Sequence, residues 1–333
     1  MKENIEHIVD SFGRKHNYLR ISLTEKCNLR CFYCMPLEGV PHREAAKFMT
    51  TEEVVGIAQA FVKMGVTKIR LTGGEPLVKK GAEDIIRELG KLPVTLSLTT
   101  NGILVDRFIH VFKEAGITSL NVSLDSLQED RFNAISRRNY FTQIMDNIQL
   151  LLDEGFRVKI NVVLIKGTND DEIVDFVQWS VREQISVQFI EFMPFDGNSW
   201  DREKTVSAAE IISTVENHFG AKNLIKLEDA AHSTSRNFKI EGAKGTFGII
   251  STVTNPFCDS CNRIRLTADG KIKNCLFSND EADLLSAYRN GGDLTPIVKT
   301  ALFMKKAGLG GLKQLDNDTL EAYENRSMIT IGG

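Results

Sequence analysis

No run of about 18 apolar residues occurs anywhere in the 333-residue sequence, so no segment is expected to span a membrane. The opening residues, MKENIEHIVDSFGRKHNYLR, mix acids and bases and have no apolar h-region. They read as neither a signal peptide nor an acid-poor transit peptide, which leaves the cytoplasm as the expected location. The net charge is −3, so no global basic field points to a nucleic acid or a membrane as partner. An anionic ligand would need a local cluster of Arg and Lys. No low-complexity segment appears, and no Ser/His/Asp group or conventional acid–base pair stands out.

What is present is ordinary for a globular chain: 42% hydrophobic and 26% charged residues, enough to bury a large core. The length suits one large α/β domain plus an appendage. From about Tyr18 to Phe192, short β-rich runs alternate with helical patterns. Strands are expected at 18–24, 68–72, 95–99, 119–123, 157–165 and 186–192. Helices are expected from Thr50 to about Met64, near Glu83–Leu89, at Leu104–Ala115, at about Phe141–Asp153 and at Asp170–Val181. Thr50 with Glu53 three residues on is a capping-box signal. Strands alternating with helices imply a parallel sheet. Six units are too few for a closed eight-unit barrel, so the expected fold is α/β, an open partial (β/α)6 TIM-like barrel. A doubly wound sheet is not excluded by pattern alone. The repeat stops after Trp200. The expected division is a barrel over 1–200 and a smaller module over 201–333.

The six cysteines fall into two groups of three, one near each end of the chain. A disulfide framework does not suit a cytosolic chain of this size. Cys27, Cys31 and Cys34 form C-x3-C-x2-C in the loop after the first strand. Three thiolates on one short loop can hold three irons of a [4Fe–4S] cluster and leave the fourth iron open to an outside ligand. Structural zinc takes four protein ligands, and no fourth Cys or His sits within this loop. Cys258, Cys261 and Cys275 form C-x2-C-x13-C. Here too a second cluster with one open iron is the better reading, although a remote residue completing a zinc site stays open.

The first group resembles the signature of the radical S-adenosylmethionine (SAM) superfamily, in which an aromatic residue, here Tyr33, precedes the last cysteine. A second motif agrees. Thr72-Gly73-Gly74-Glu75-Pro76 follows the second strand, at the sheet edge where α/β sites form. Glycines there let backbone approach a ligand closely.

Basic residues gather around these motifs. Arg263 and Arg265 stand between ligands of the second group, and Arg pairs with phosphate in a bidentate fork. Arg20, Lys68, Arg70 and Lys159 lie at strand positions. Lys68 and Arg70, two apart, share a face. Lys159 has apolar strand neighbours, where an unpaired ammonium is costly. A polyanion in the lumen would neutralise several of these.

Together with FGRKHNYLRISLTEKCNLRCFYCMP, IRLTGGEPL, LTTNG, NVSLDSL, FIEFMPFDGNSW, FCDSCNRIRLTADG, KNCLF and the terminal IGG, the chain resembles the GTP 3′,8-cyclase family of molybdenum cofactor biosynthesis over nearly its whole length. The resemblance implies a lyase that cleaves SAM to a 5′-deoxyadenosyl radical, takes hydrogen from C3′ of GTP and closes the ribose onto C8 to give 3′,8-cyclo-7,8-dihydro-GTP. It implies two [4Fe–4S] clusters, on Cys27, Cys31 and Cys34 and on Cys258, Cys261 and Cys275. SAM would meet Tyr33, Gly74, Ser123 and Met193. GTP would meet Arg20, Arg70, Thr99, Lys159, Arg263 and Arg265. The Gly332-Gly333 tail would insert toward the active site and position GTP. Implied partners are an electron donor and the next enzyme of the pathway, cyclic pyranopterin monophosphate synthase, with a homodimer as an allowed assembly. Two positions depart from the family pattern. Gln188 stands where the family has Arg before F-I-E-[FY]-M, which removes a charge from the expected pocket, and NRSM replaces NRPM. The rival readings are another radical SAM enzyme with an auxiliary cluster, such as a peptide maturase, and a non-catalytic iron–sulfur redox protein. The first usually carries more C-terminal cysteines; the second needs no G-G-E-P turn.

Overall fold

The computed structural model describes residues 7–36, 39, 43–317 and 325–332. Six β/α units come first. Their strands are β1 (Tyr18–Ser22), β2 (Lys68–Thr72), β3 (Thr95–Thr100), β4 (Ser119–Ser123), β5 (Arg157–Leu164) and β6 (Ile185–Glu191). The helices are α1 (Thr51–Lys63), α2 (Ala82–Gly90), α3 (Val105–Glu114), α4 (Glu129–Ser136), α5 (Phe141–Asp153) and α6 (Ile173–Arg182). Helix α1 begins on the expected capping box: Thr50 Oγ1 accepts from the Glu53 amide at 3.3 Å, and Glu53 accepts from the Thr50 amide at 2.8 Å. Helix α4 carries no strong period and was not expected.

Each strand divides its side chains by parity. Leu19, Ile21, Ile69, Leu71, Leu120, Val122, Ile160 and Phe189 are fully buried toward the helices, where they meet α-helical residues such as Ile57, Phe61, Ile85, Phe112, Ile148 and Phe176 in one continuous core. Each such side chain contributes roughly 1.5–3 kcal/mol by leaving water. The opposite parity points into the lumen and is polar: Tyr18, Arg20, Lys68, Arg70, Thr99, Asn121, Lys159, Asn161 and Gln188 line one cavity.

The second half of the chain adds α7 (Ala208–Phe219), β7 (Leu224–Lys226), β8 (Arg236–Ile240), β9 (Thr246–Ile250), β10 (Arg263–Leu266), β11 (Lys271–Lys273), β12 (Glu281–Asp283), α8 (Leu284–Arg289) and α9 (Thr295–Phe303). Its strands join the first sheet. β9 runs parallel to β6, and β10 runs parallel to β1. The result is an open twelve-stranded sheet, in the order β12-β11-β10-β1-β2-β3-β4-β5-β6-β9-β8-β7. The barrel is therefore widened at both edges by strands from the later sequence. This puts the segments before and after β10, with Cys258, Cys261 and Cys275, over the lumen. The last described segment, a turn of helix at Met328–Ile331, buries Ile329 and Ile331. No helix among the described residues is long and apolar enough to cross a membrane.

Candidate active site

The lumen holds a cavity of about 490 Å³. Seven lysines and arginines line it: Arg20, Lys68, Arg70, Lys159, Arg263, Arg265 and Lys305; its described lining contains no Asp or Glu. Register produces the grouping. Arg20 pairs across the sheet with Arg265 on one side and Arg70 on the other, while Thr99 pairs with Asn121 and Asn121 with Lys159. Thus five of the six residues expected to meet GTP are cations of one cavity, and the sixth, Thr99, lines it too.

Electrostatics records the crowding. Burial, then Arg265 and its other cationic neighbours, lower Arg20 to about 9. Burial and Arg263 lower Arg265 to about 10. Burial, Arg70 and Lys68 lower Lys159. Tyr18, which sequence reasoning passed over, sits among them. Its oxygen accepts from Arg70 Nε at 2.6 Å, and Lys68 Nζ lies 4.6 Å from its ring centre. Burial alone would raise the phenol, but Arg70, Arg20 and Lys68 bring it down to about 8. Arg70 also donates to Thr99 Oγ1 at 3.2 Å and to the Leu98 carbonyl at 3.3 Å, which fixes its guanidinium. A cavity with this balance favours a polyanion, since each cation there raises the cost of its neighbours.

Cys258, Cys261 and Cys275 open into this cavity. Cys258 Sγ accepts from the Leu309 amide at 3.4 Å and Cys261 Sγ from Lys305 at 3.4 Å. Met193 also lines it. Cys27, Cys31 and Cys34 lie elsewhere, in the loop after β1, with Tyr33, Gly74 and Ser123 outside the cavity lining. The turn Gly73–Glu75 continues the β1–β2 pairing along that loop: the Gly74 amide donates to Thr24 at 2.7 Å and the Glu75 amide to Lys26 at 2.8 Å. A Cβ on Gly74 would stand 2.5 Å from the Lys26 carbonyl, so close backbone approach demands glycine there. The tail reaches both places. Ile329 packs on the Gly74 side, and Gly332 packs against Ser22 and Thr72. Gly333 lies outside the described residues.

The sequence matches the radical SAM superfamily over residues 21–180 and the Molybdenum Cofactor Synthesis C family over residues 185–310. It is 43% identical over 338 residues to the GTP 3′,8-cyclase of Peptoclostridium acidaminophilum, covering 99% of this chain and 100% of that one. The chain belongs to the GTP 3′,8-cyclase family. It is also 42% identical over 332 residues to molybdenum cofactor biosynthesis protein 1 of Dictyostelium discoideum, covering 98% of this chain and 52% of that one. It spans about half the length of that relative and of the mouse and human ones. SuiB of Streptococcus suis superposes with a TM-score of 0.65 at 14% identity, covering 96% of this chain and 74% of that one, which shows the shared fold.

The cofactors of this radical SAM family are [4Fe–4S] clusters and SAM, and the residues present fit them. All six cysteines are free thiols. Burial and then Asp125, Cys34 and Cys27 make Cys31 harder to deprotonate, and burial with Cys275 and Cys261 does the same for Cys258, so the thiols of each group are close neighbours. Yet among the described residues no three Cys, His, Asp or Glu converge as ligands of a single ion would. Burial and then Glu75 push Cys27 up to about 11, while burial, Cys27 and Asp125 push Cys34 up to about 12. Such thiols need bound metal to become thiolates.

Three residues that sequence reasoning did not single out brace this loop: Glu75, Asn101 and Asp125. Buried Glu75 accepts from the amides of Leu77 (3.1 Å) and Asn101 (2.7 Å) and from Thr100 Oγ1 (2.8 Å). Asn101 in turn donates to Asn28 at 2.6 Å and approaches Cys27 Sγ at 3.7 Å. Asp125 accepts from Tyr33 Oη at 2.6 Å and from the Val163 amide at 2.9 Å. Glu75 is visible in G-G-E-P, but two of its partners, Thr100 and Asn101, come from the end of β3.

Proposed function

We propose that this chain is a radical SAM GTP 3′,8-cyclase that catalyses the first step of molybdenum cofactor biosynthesis. The observation that carries this reading is the basic cavity, free of carboxylates in its described lining, into which one cysteine triplet opens. Cys27, Cys31 and Cys34 would hold the cluster that binds SAM, with Tyr33, Gly74, Ser123 and Met193 around SAM. Cys258, Cys261 and Cys275 would hold the auxiliary cluster. When bound, these groups supply one-electron reduction and a hydrogen-abstracting radical.

The chain's own residues orient and shield. Arg20, Arg70, Lys159, Arg263 and Arg265 hold the triphosphate, and Thr99, already fixed by Arg70, meets the nucleotide. Neutralising this many crowded cations makes a triphosphate a better fit than an uncharged ligand. Tyr18 keeps Arg70 aimed into the lumen. The tail, held by Arg265 at Gly332 and lining the cavity at Met328, helps to position GTP. The enzyme acts in the cytoplasm, takes electrons from a separate one-electron donor and hands its product to cyclic pyranopterin monophosphate synthase.

The test is anaerobic incubation of reconstituted protein with dithionite, SAM and each nucleoside triphosphate in turn. Chromatography should find deoxyadenosine and a cyclised nucleotide with GTP. Turnover of SAM without any nucleotide product, or equal products from all four nucleotides, would overturn the reading.

A further inference from the structure

Lys305 follows α9 and is only 4% exposed. Its ammonium donates to Cys261 Sγ at 3.4 Å, to the Arg263 carbonyl at 3.2 Å and to the Asn274 carbonyl at 2.6 Å. An ammonium has three protons to donate, so these acceptors occupy it. Although it borders the cavity, it has none left for a nucleotide. This separates Lys305 from the other six cations of the lining.

None of the three acceptors is a carboxylate. A buried ammonium set against two neutral carbonyls lacks the anion that would offset its desolvation. Asp10, nearby through His16, is already engaged by His16 Nε2 at 2.9 Å and Arg14 Nε at 2.6 Å. The partner able to carry the missing charge is the sulfur of Cys261.

We propose that Lys305 is a positioning residue that sets the reduction potential of an auxiliary [4Fe–4S] cluster on Cys258, Cys261 and Cys275. This rests on the reading that the second triplet holds a cluster. Each electron added makes such a cluster more negative. A fixed cation with an N–H···S bond to one ligand stabilises the reduced form and raises the potential. The two carbonyl bonds hold the cation in place: Arg263 lies two residues beyond Cys261, and Asn274 directly precedes Cys275. Lys305 thus also pins the two ligand segments to each other.

The test is a redox titration of the anaerobically reconstituted full chain, followed by electron paramagnetic resonance. The auxiliary signal is assigned as the one that Cys275→Ala removes. Lys305→Met should shift the midpoint of that signal to more negative potential and leave the other cluster's midpoint unchanged. Lys305→Arg should stay near the wild-type midpoint. An unchanged midpoint in Lys305→Met overturns the proposal. So does loss of the auxiliary iron from both variants, since the lysine is then a strut. Loss from Lys305→Met alone, with Lys305→Arg retaining cluster and midpoint, supports the need for charge. Wild-type protein with about four irons and no signal sensitive to Cys275→Ala would sink the two-cluster reading itself, a result separate from any effect of Lys305.

Discussion

Arg265 Nη1 donates to the carbonyl oxygen of Gly332 at 2.5 Å, so the last described residue of the tail is bound to a cation of the cavity wall. Gly332 has φ +83°, and a Cβ there would stand 2.7 Å from Ser22 Cβ and 2.7 Å from Thr72 Oγ1. Only glycine satisfies both the backbone angle and the space. Gly332→Ala, or removal of Gly332 and Gly333, should sharply lower formation of the cyclised nucleotide. Iron content and thermal unfolding should stay near wild type, because tails contribute little to global stability. Product at the normal rate would end the tail's assignment, and loss of iron would make it structural.

The tail is also latched upstream. Arg326 donates to both oxygens of Asp269 at 3.0 Å and to Glu281 at 2.6 Å. Asp269 also accepts from Arg43 at 2.7 Å and Thr267 at 2.6 Å. Despite burial, these bonds hold its carboxyl well below the usual range. Asp269→Ala would take the shared anion from two guanidiniums, each of which keeps one carboxylate, Glu25 for Arg43 and Glu281 for Arg326, so the loss should be about 1.5–3 kcal/mol, that of hydrogen bonds to a charged group. Limited proteolysis should then cut the C-terminal segment faster than in wild type. An unchanged cleavage rate would show that the apolar contacts of Ile329 and Ile331 hold the tail by themselves.

Buried His16 gives the fold a pH dependence. Its Nε2–H donates to Asp10 Oδ2, and burial, then Lys305, lower it to about 4. The unfolded chain therefore binds a proton below about 6.5 that the folded chain refuses until about 4. Stability should fall as pH drops through that window, by on the order of 3 kcal/mol, and flatten below it. His16→Gln should remove this part of the slope in unfolding curves measured from pH 7 to 4. A slope equal to wild type would place the effect on other groups.

The sequence made the six β/α units readable because both periods are strong there. YLRIS and KIRLT alternate cleanly, and Phe141–Asp153 repeats its apolar residues at helical spacing. Lys68, Arg70 and Lys159 were legible as lumen residues for the same reason. The later strands were not. Nothing local in TFGII or RIRL says that they flank β6 and β1. Their neighbours lie some 60 and 245 residues away in register, Gln188 with Gly248 and Tyr18 with Arg263. Lys305 was missed for a related reason. A lysine beside another lysine after a helix reads as surface, and only the folded chain brings it to Cys261.

Gln188 tests whether the cavity is tuned by charge. It is buried beside Gly248 and donates to Ser186 Oγ at 2.9 Å. Any Cβ at position 248 would come within 2.9 Å of its Nε2, so the glycine leaves the side chain room at the cavity wall. Gln188→Arg adds a cation to that wall. A charge-assisted contact with phosphate is worth about 1.5–3 kcal/mol, so GTP should bind roughly ten- to hundredfold more tightly. The gain should shrink as salt rises. Arg263→Ala or Arg265→Ala should move affinity by a similar factor the other way. Equilibrium binding of GTP under anaerobic conditions reads all three variants. Equal affinity in Gln188→Arg would mean that the existing cations already saturate the phosphates. Unchanged affinity in the Arg263→Ala/Arg265→Ala double variant would remove that pair from the substrate site altogether.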